Sequence, residues 1–365
     1  MSLSRRSILA GATGAAAAFG QNTVAAPFRL AVVGLVHGHA GGFLRQVRAR
    51  ADVELVGVSE ANQEVLASYG SRFQIPEDRR FRSVDELLGK VRPEAIAAFG
   101  STFDHPAVVE AAAKAKLPVM MEKPLAVSGE HAGRIRKAAA ASGIPVIVNY
   151  ETTWYRSHGY LYELIHNRKA AGEIRKMVAM DGHQGPKEIG TGPEFFEWLT
   201  DPVKNGAGAL FDFGCYGANL MTWMMDNQRP AAVTARTLRI KPAIYPKVDD
   251  EATILLDYPK AQGIIQASWN WPFSRKDFEV YGATGYANAY GGNSLRTRMK
   301  GEKTESTPEL PELPPHERDS VSYLAAIAKG TMKPGGLSSL ENNLIATDIL
   351  VAARESARTG KTVVL

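Results

Sequence analysis

Three polar side chains define the chemistry open to this chain. Lys123 follows the apolar run 117–121, which reads as a buried strand, and stands in the triplet Glu122-Lys123-Pro124. A lysine at the carboxyl end of such a strand lies where open α/β sheets bind ligands. Pro124 confines Lys123 to an extended or turned backbone. Far away in sequence, Asp212-Phe213-Gly214-Cys215-Tyr216 supplies a carboxylate and a phenol four residues apart. On a single helix those two would share a face. A phenol titrates near a pKa of about 10 and becomes a base at neutral pH only when a cation stabilises the phenolate. Lys123 is a candidate cation, and Asp212 can orient it. Lysine, aspartate and tyrosine together point to proton transfer beside a hydride carrier. The competing readings are an ordinary exposed lysine and an aromatic core of Phe211, Phe213, Tyr216 and Trp223. Cys215 reads as a small packing residue.

The elements that must position these groups fall into two rhythms. Over 28–149, apolar strands (28–33, 53–58, 95–99, 117–121 and 145–148) alternate with helical patterns (40–50, 62–69, 84–88, 106–115 and 129–141). That alternation predicts a doubly wound parallel sheet. Ser128 is placed to cap the last of these helices, and Pro106 suits a first turn. After Tyr150 the pattern changes. A helix is expected over 160–167, and a short aromatic helix over 195–199. Strands of a mostly antiparallel sheet are expected near 176–180, 233–239, 253–257, 263–268 and 278–281. The proline-rich stretch 308–315 reads as an extended linker, and helices over 318–329 and 339–358 close the chain. The expected architecture is an α/β Rossmann domain (27–150), then an α+β domain with a large, mostly antiparallel open sheet (151–316). The terminal helices (317–365) are expected to pack back between the domains.

A cofactor loop is expected after the first strand. Gly34-Leu35-Val36-His37-Gly38-His39 joins that strand to a helix, where backbone amides face phosphates. Gly34 and Gly38 are present, but Val36 occupies the usual middle glycine. Taken alone, the loop is also readable as a tight strand-to-helix turn. Glu60, ending the second strand, can bind the adenosine ribose hydroxyls and would repel a 2′-phosphate, which favours NAD over NADP. His37 and His39 read as hydrogen-bond donors to phosphate or to the loop; no further ligands are spaced nearby for a metal.

The 365 residues carry a formal charge of +5, with 45% hydrophobic and 22% charged residues. No basic, aromatic-interleaved stripe is present, which argues against nucleic acid as a partner. A single cysteine excludes an internal disulfide. Residues 1–26 have the layout of an export signal. Arg5-Arg6 precedes a short Ala- and Gly-rich apolar run, and the arginine pair points to the twin-arginine route. That run is too short to span a bilayer, so no membrane anchor is expected after removal of the signal. The route moves folded proteins and suits a periplasmic chain that has captured a nicotinamide cofactor.

On these residues the chain resembles the Gfo/Idh/MocA family. The shared features are the altered glycine loop, the strand-ending Glu60, His105, Glu122-Lys123-Pro124 and the approach Gly208-Ala209-Leu210-Phe211-Asp212. Where many members carry Asp-x-Gly-x-His-x-x-Asp, this chain reads Asp212, Gly214, Tyr216, Asn219, a variant similar to the glucose–fructose oxidoreductase branch. The resemblance implies Lys123, Asp212 and Tyr216 as catalytic residues. It implies Gly34, Val36, His37, Gly38, Glu60, Ser101, His105, Glu122 and Lys123 around NAD. It further implies a homo-oligomer, dimer or tetramer. Gly100-Ser101-Thr102 stands in place of the commoner Thr-Pro-Asn, and Asn149-Tyr150-Glu151-Thr152-Thr153-Trp154 replaces an arginine-containing segment. Tyr150, Trp154, Tyr155, His183 and Asn219 are the candidates for a sugar site; the aromatic residues and His183 read equally as core. The implied activity is oxidation of a sugar or polyol hydroxyl. Two alternatives stand beside it: an exported glycosidase using transient oxidation by NAD, and a non-catalytic sugar- or partner-binding relic.

Overall fold

The computed structural model describes residues 26–365. The export-signal reading therefore lies outside the described residues except for Ala26. The first sheet is parallel, with six strands: β1 (Phe28–Val33), β2 (Val53–Ser59), β3 (Arg80–Phe81), β4 (Ala95–Ala98), β5 (Val119–Glu122) and β6 (Val146–Asn149), in the order β3-β2-β1-β4-β5-β6. Helices α1 (Ala40–Arg48), α2 (Gln63–Arg72), α3 (Val84–Lys90), α4 (His105–Lys114) and α5 (Gly129–Ser142) connect them. Strands β4 and β5 are buried at every position, as expected of parallel strands covered on both faces, and this is why they read as unbroken apolar runs. Ser128 caps α5 through the His131 amide, and Pro106 lies in the first turn of α4. The two-residue strand β3 is not legible in the sequence, because Arg80 and Phe81 are too few to show a period.

Beyond β6, α6 (Arg156–Tyr162) runs into a π-helical turn at Glu163–Asn167, so the helix begins earlier than the pattern suggests. The second sheet has eight strands: β7 (Ile174–Gly182), β8 (Ala232–Leu238), β9 (Glu251–Asp257), β10 (Gln262–Ser268), β11 (Arg275–Gly282), β12 (Gly285–Tyr290), β13 (Leu295–Met299) and β14 (Val363–Val364). Their order is β13-β12-β11-β7-β10-β9-β8-β14. All pairs are antiparallel except β10 with β7. Burial alternates along β9, the signature of a sheet packed on one face. Strands β12 to β14 lack a sequence signal. Gly285–Tyr290 mixes small and polar residues, and β14 is only two residues long.

Helices α7 (Pro193–Leu199), α8 (Ala209–Asp212) and α9 (Gly214–Met224) lie between β7 and β8 in sequence. A Cβ on Gly217 would come within 2.7 Å of Ile265 and 2.9 Å of Ala179, so α9 lies directly on β10 and β7. The chain returns through α10 (Ser320–Ala328), whose Val321, Leu324 and Ile327 join the core around Phe28, Leu30 and Phe43. It ends with α11 (Leu340–Thr359), which shares a second core with α5, β6 and α9. Arg354 of α11 donates to the carbonyls of Val127 and Gly206, tying the segment after β5 to the approach to α8. Among the described residues, no helix is long and apolar enough to cross a membrane.

Gly34 shows how tightly the first strand-to-helix turn is built. Its φ is +78°, and a Cβ there would lie 2.6 Å from the Gly100 Cα. Its amide donates to the Ser59 carbonyl at 2.7 Å. Gly34→Ala adds left-handed strain and a backbone overlap, so the unfolding free energy should fall by at least about 2 kcal/mol. Urea denaturation checks this; an unchanged midpoint would contradict it.

Candidate active site

Strand β5 ends at Glu122 and delivers Lys123 to the edge of the first sheet. Its ammonium reaches the Asp212 carboxylate at 2.5 Å and the Asp212 carbonyl at 3.0 Å. Both side chains are about 6% exposed. Asp212 is the last residue of α8, and Tyr216 lies in the first turn of α9. The stretch is thus two helical pieces meeting at Phe213, not one helix. Asp249 caps α8, its carboxylate accepting from the Gly208 and Leu210 amides at 2.9 and 2.7 Å. The second Asp212 oxygen accepts from the Trp269 indole at 2.9 Å. Burial alone would raise the Asp212 pKa, but the charge and hydrogen bond of Lys123 win and hold it below the ordinary carboxylate range. Burial likewise acts to neutralise Lys123, and Asp212 outweighs it, so the lysine is raised. The pair is ionised on both sides. An ammonium has three donors; two are committed to Asp212, which leaves one for an incoming oxygen.

The Lys123 ammonium lies 5.1 Å from the centroid of the Tyr216 ring and 5.8 Å from that of Phe213. On another side the Lys276 ammonium lies 4.8 Å from the Tyr216 ring and is paired with Glu151. The expectation that Lys123 depresses the Tyr216 pKa fails here. Burial dominates, Glu151, Cys215, Asp212 and Glu122 act the same way, and the phenol is pushed well above its ordinary value. A cation over the ring face does not offset removal of the hydroxyl from water. Tyr216 therefore keeps its proton at neutral pH. Cys215 is fully buried and its thiol is pushed up to about 12, chiefly by burial, as suits a packing residue.

The glycine loop and Glu122 form the other half. Glu60 accepts from the Leu35 amide at 2.7 Å and the Asn62 amide at 2.9 Å, clamping the loop to the end of β2. Helix α1 has no side-chain cap and no acidic residue in its first turn, so its N-terminal amides suit a diphosphate. Gly38 lies under the Phe195 ring, where a Cβ would come within 3.2 Å of the ring carbons. Trp198 donates to the Val36 carbonyl at 3.2 Å. Ser101 donates to Asp104 at 2.6 Å in a capping box at the start of the next helical turn. The buried His105 ring contacts the Leu125 carbonyl at 3.0 Å, joining α4 to the segment after Pro124. Glu122 is held by His39 at 3.1 Å and Asn149 at 2.7 Å. Burial acts to raise it, but His39 and the hydrogen bonds pull it well down. Ligand atoms of His37, His39 and Glu122 lie within 4.8 Å of one another. The His37 Nδ1 is already engaged by the His39 amide at 3.1 Å, and burial keeps His37 neutral.

The sugar-site candidates divide. Tyr150 packs edge-on against Tyr216 with centroids 5.5 Å apart. Tyr155 donates to Glu151 at 2.7 Å and so joins the Lys276 cluster. His183 stands edge-on to Phe213 at 4.8 Å, its Nδ1 accepting from the Gly185 amide. Trp154 sits one layer back, donating to Asn149, which in turn holds Glu122. Asn219 is not among them. Fully buried, its amide donates to the Leu337 carbonyl at 2.8 Å and to Asn343 at 3.2 Å, fastening α9 to α11. Sequence reasoning misses Trp269, just past the end of β10, and Lys276 on β11, because nothing in their local pattern sets either apart. Asn219→Ala should lower the unfolding free energy by about 1–3 kcal/mol through the unpaired groups it leaves. The KM for any sugar substrate should stay within about twofold, since that amide holds a helix. A large KM change with unchanged stability would contradict this assignment.

Comparison with known proteins fits the two halves of this geometry. Residues 28–150 match the family model described as oxidoreductase family, NAD-binding Rossmann fold. Residues 160–288 match that of the GFO/IDH/MocA C-terminal domain. The D-apiose dehydrogenase of Rhizobium rhizogenes is 24% identical over 341 residues, 88% of this chain and 93% of that protein. The structure of an aldose-aldose oxidoreductase from Caulobacter crescentus, complexed with glycerol, superposes with a TM-score of 0.77 at 21% identity, covering 93% of this chain and 100% of that one. An inositol dehydrogenase homolog from Azotobacter vinelandii, complexed with NAD+, gives a TM-score of 0.79 at 20% identity, covering 94% and 98%.

Proposed function

The chain belongs to the GFO/IDH/MocA family of oxidoreductases, and from that premise we propose that it interconverts a hydroxyl and a carbonyl of a sugar or polyol at Lys123. It is an NAD-binding oxidoreductase. The observation that carries the substrate reading is the buried Lys123–Asp212 pair, with one lysine donor left uncommitted beside the buried phenol of Tyr216. The names of the similar proteins, an apiose dehydrogenase and an aldose-aldose oxidoreductase, support the same substrate class. They favour neither glycoside cleavage nor a non-catalytic binding role.

Bound NAD supplies the hydride acceptor for alcohol oxidation, and its reduced form the donor for the reverse. The chain's own residues do the rest. With NAD bound, the Val36 and Gly38 amides and the first turn of α1 would hold the diphosphate, Gly34 and His37 shaping the turn through their own backbone bonds, and Glu60 would accept from ribose hydroxyls. Ser101, His105 and Glu122 would frame its nicotinamide end. Lys123 donates its remaining N–H to the reacting oxygen and stabilises the negative charge that develops there. Asp212 and Trp269 fix the lysine. Tyr216, a phenol in the resting protein, donates its proton to a carbonyl oxygen during reduction. In the oxidative direction it must first be deprotonated, so alcohol oxidation should accelerate as pH rises. Tyr150, Tyr155 and His183 line the sugar face.

The test mixes purified protein with NAD and a panel of aldoses and polyols and follows reduced-nicotinamide absorbance. At least one sugar should give signal, and Lys123→Ala should lose about a thousandfold of it while nucleotide still co-purifies. No signal from any sugar, with nucleotide bound, would remove the reading.

Assembly and export belong to the same proposal. The open face of the second sheet carries a half-buried apolar row, Val178, Ile264 and Leu255, on three adjacent strands. Such a row suits pairing with a second copy, and Arg5-Arg6 suits export to the periplasm. Sedimentation of the mature chain should give a dimer or tetramer, and fractionation should find it outside the cytoplasm. A cytoplasmic monomer would contradict both.

A further inference from the structure

One carboxyl near the site has no part in the chemistry described above. Asp181, at the penultimate position of β7, is 1% exposed, and neither of its side-chain oxygens has a hydrogen-bond partner among the described residues. No other carboxylate among the described residues is buried in this state. Buried polar groups in native proteins are nearly always hydrogen-bonded, so a carboxyl this deep calls for a partner from outside the chain.

Its location says which partner. Asp181 pairs across with Lys276 of β11, and directly opposed residues project from the same face of a sheet. The Lys276 ammonium lies over the Tyr216 ring. Ala179, two residues earlier and on the same face, lies against Gly217, the neighbour of Tyr216. Asp181 therefore faces the first turn of α9.

We propose that Asp181 is a further specificity-determining residue, whose carboxyl hydrogen-bonds a hydroxyl of the polyhydroxylated substrate held at Lys123; this rests on the sugar or polyol reading above. Burial dominates the titration of Asp181. Lys276 and Arg275 pull it down, Asp277 and Glu151 push it up, and the net is a carboxyl raised well above its ordinary value. Tyr155 and Cys215 are the other titratable groups within its reach. A shift in that direction favours the uncharged acid, which has one donor and remaining acceptor capacity, suited to a sugar hydroxyl that both gives and takes a hydrogen bond. Above its raised pKa it ionises and the donor is lost. An asparagine has nearly the same shape and keeps a donor and an acceptor at every pH.

The test compares the full chain with Asp181→Asn and Asp181→Ala, using the sugar of the panel that the wild type turns over fastest. Asp181→Ala should raise KM about tenfold, the loss of one good hydrogen bond, while Asp181→Asn stays within about threefold. The wild-type KM should rise at alkaline pH, and that of Asp181→Asn should stay flat. Difference infrared spectra should show the carbonyl stretch of a protonated acid at neutral pH, absent from Asp181→Asn and displaced when the sugar is added. Absence of that band, or a band and a KM indifferent to the residue while turnover persists, overturns the role of Asp181 and leaves the parent reading standing. If the wild type turns over no sugar, both fall together.

Discussion

The buried pair between Lys123 and Asp212 is the constraint on which the site depends. It joins the end of β5 in the parallel sheet to the end of α8 over the second sheet. Buried ion pairs are poor sources of net stability, since desolvation consumes most of the attraction. Their strength is position. Once formed, this one fixes where the edge of the first sheet meets the α8–α9 corner, and it aims a cation with one unused donor. Asp249 holds the N-terminus of α8 and Trp269 the far oxygen of Asp212, so the carboxylate is restrained from three directions.

The same burial that makes the pair strict also sets the state of its neighbours. Lys123 and Asp212 remain charged because each answers the other. Tyr216 has no such partner and stays a phenol, despite ammonium groups over its ring. Burial shifts the Asp181 carboxyl in the same direction, against the pull of Lys276 and Arg275. The site therefore combines a buried ion pair with a phenol and a carboxyl that burial pushes toward their protonated forms. That combination suits exchange of a proton with a substrate oxygen while the lysine stabilises its charge. Glu122 completes the frame on the cofactor side, where His39 and Asn149 keep it ionised.

Much of this is legible in the sequence. The parallel strands are unbroken apolar runs because both faces are covered, and Lys123 and Asp212 stand out by their place at the ends of elements. The glycine loop and Glu60 are legible too, although Glu60 proves to clamp the loop through the Leu35 and Asn62 amides. What is not legible depends on long-range packing. Asn219 looks like a site residue by spacing from Asp212, but its face is set by α11, more than a hundred residues later. Lys276, Trp269 and Asp181 reach the site only because β7, β10 and β11 lie side by side, a pairing that local pattern does not specify. The titration of Tyr216 departs from its sequence expectation because a nearby cation is visible in the sequence and the cost of burial is not.

The central claim is that Lys123 and Asp212 act as one unit that both positions the site and makes it reactive. A double-mutant cycle with Lys123→Met and Asp212→Asn, read in unfolding free energy, tests it most directly. Each single replacement should cost about 3 kcal/mol by leaving a buried partner exposed to an apolar surround, and the double should cost little more than either alone. Costs that simply add would show two independent side chains and contradict the account.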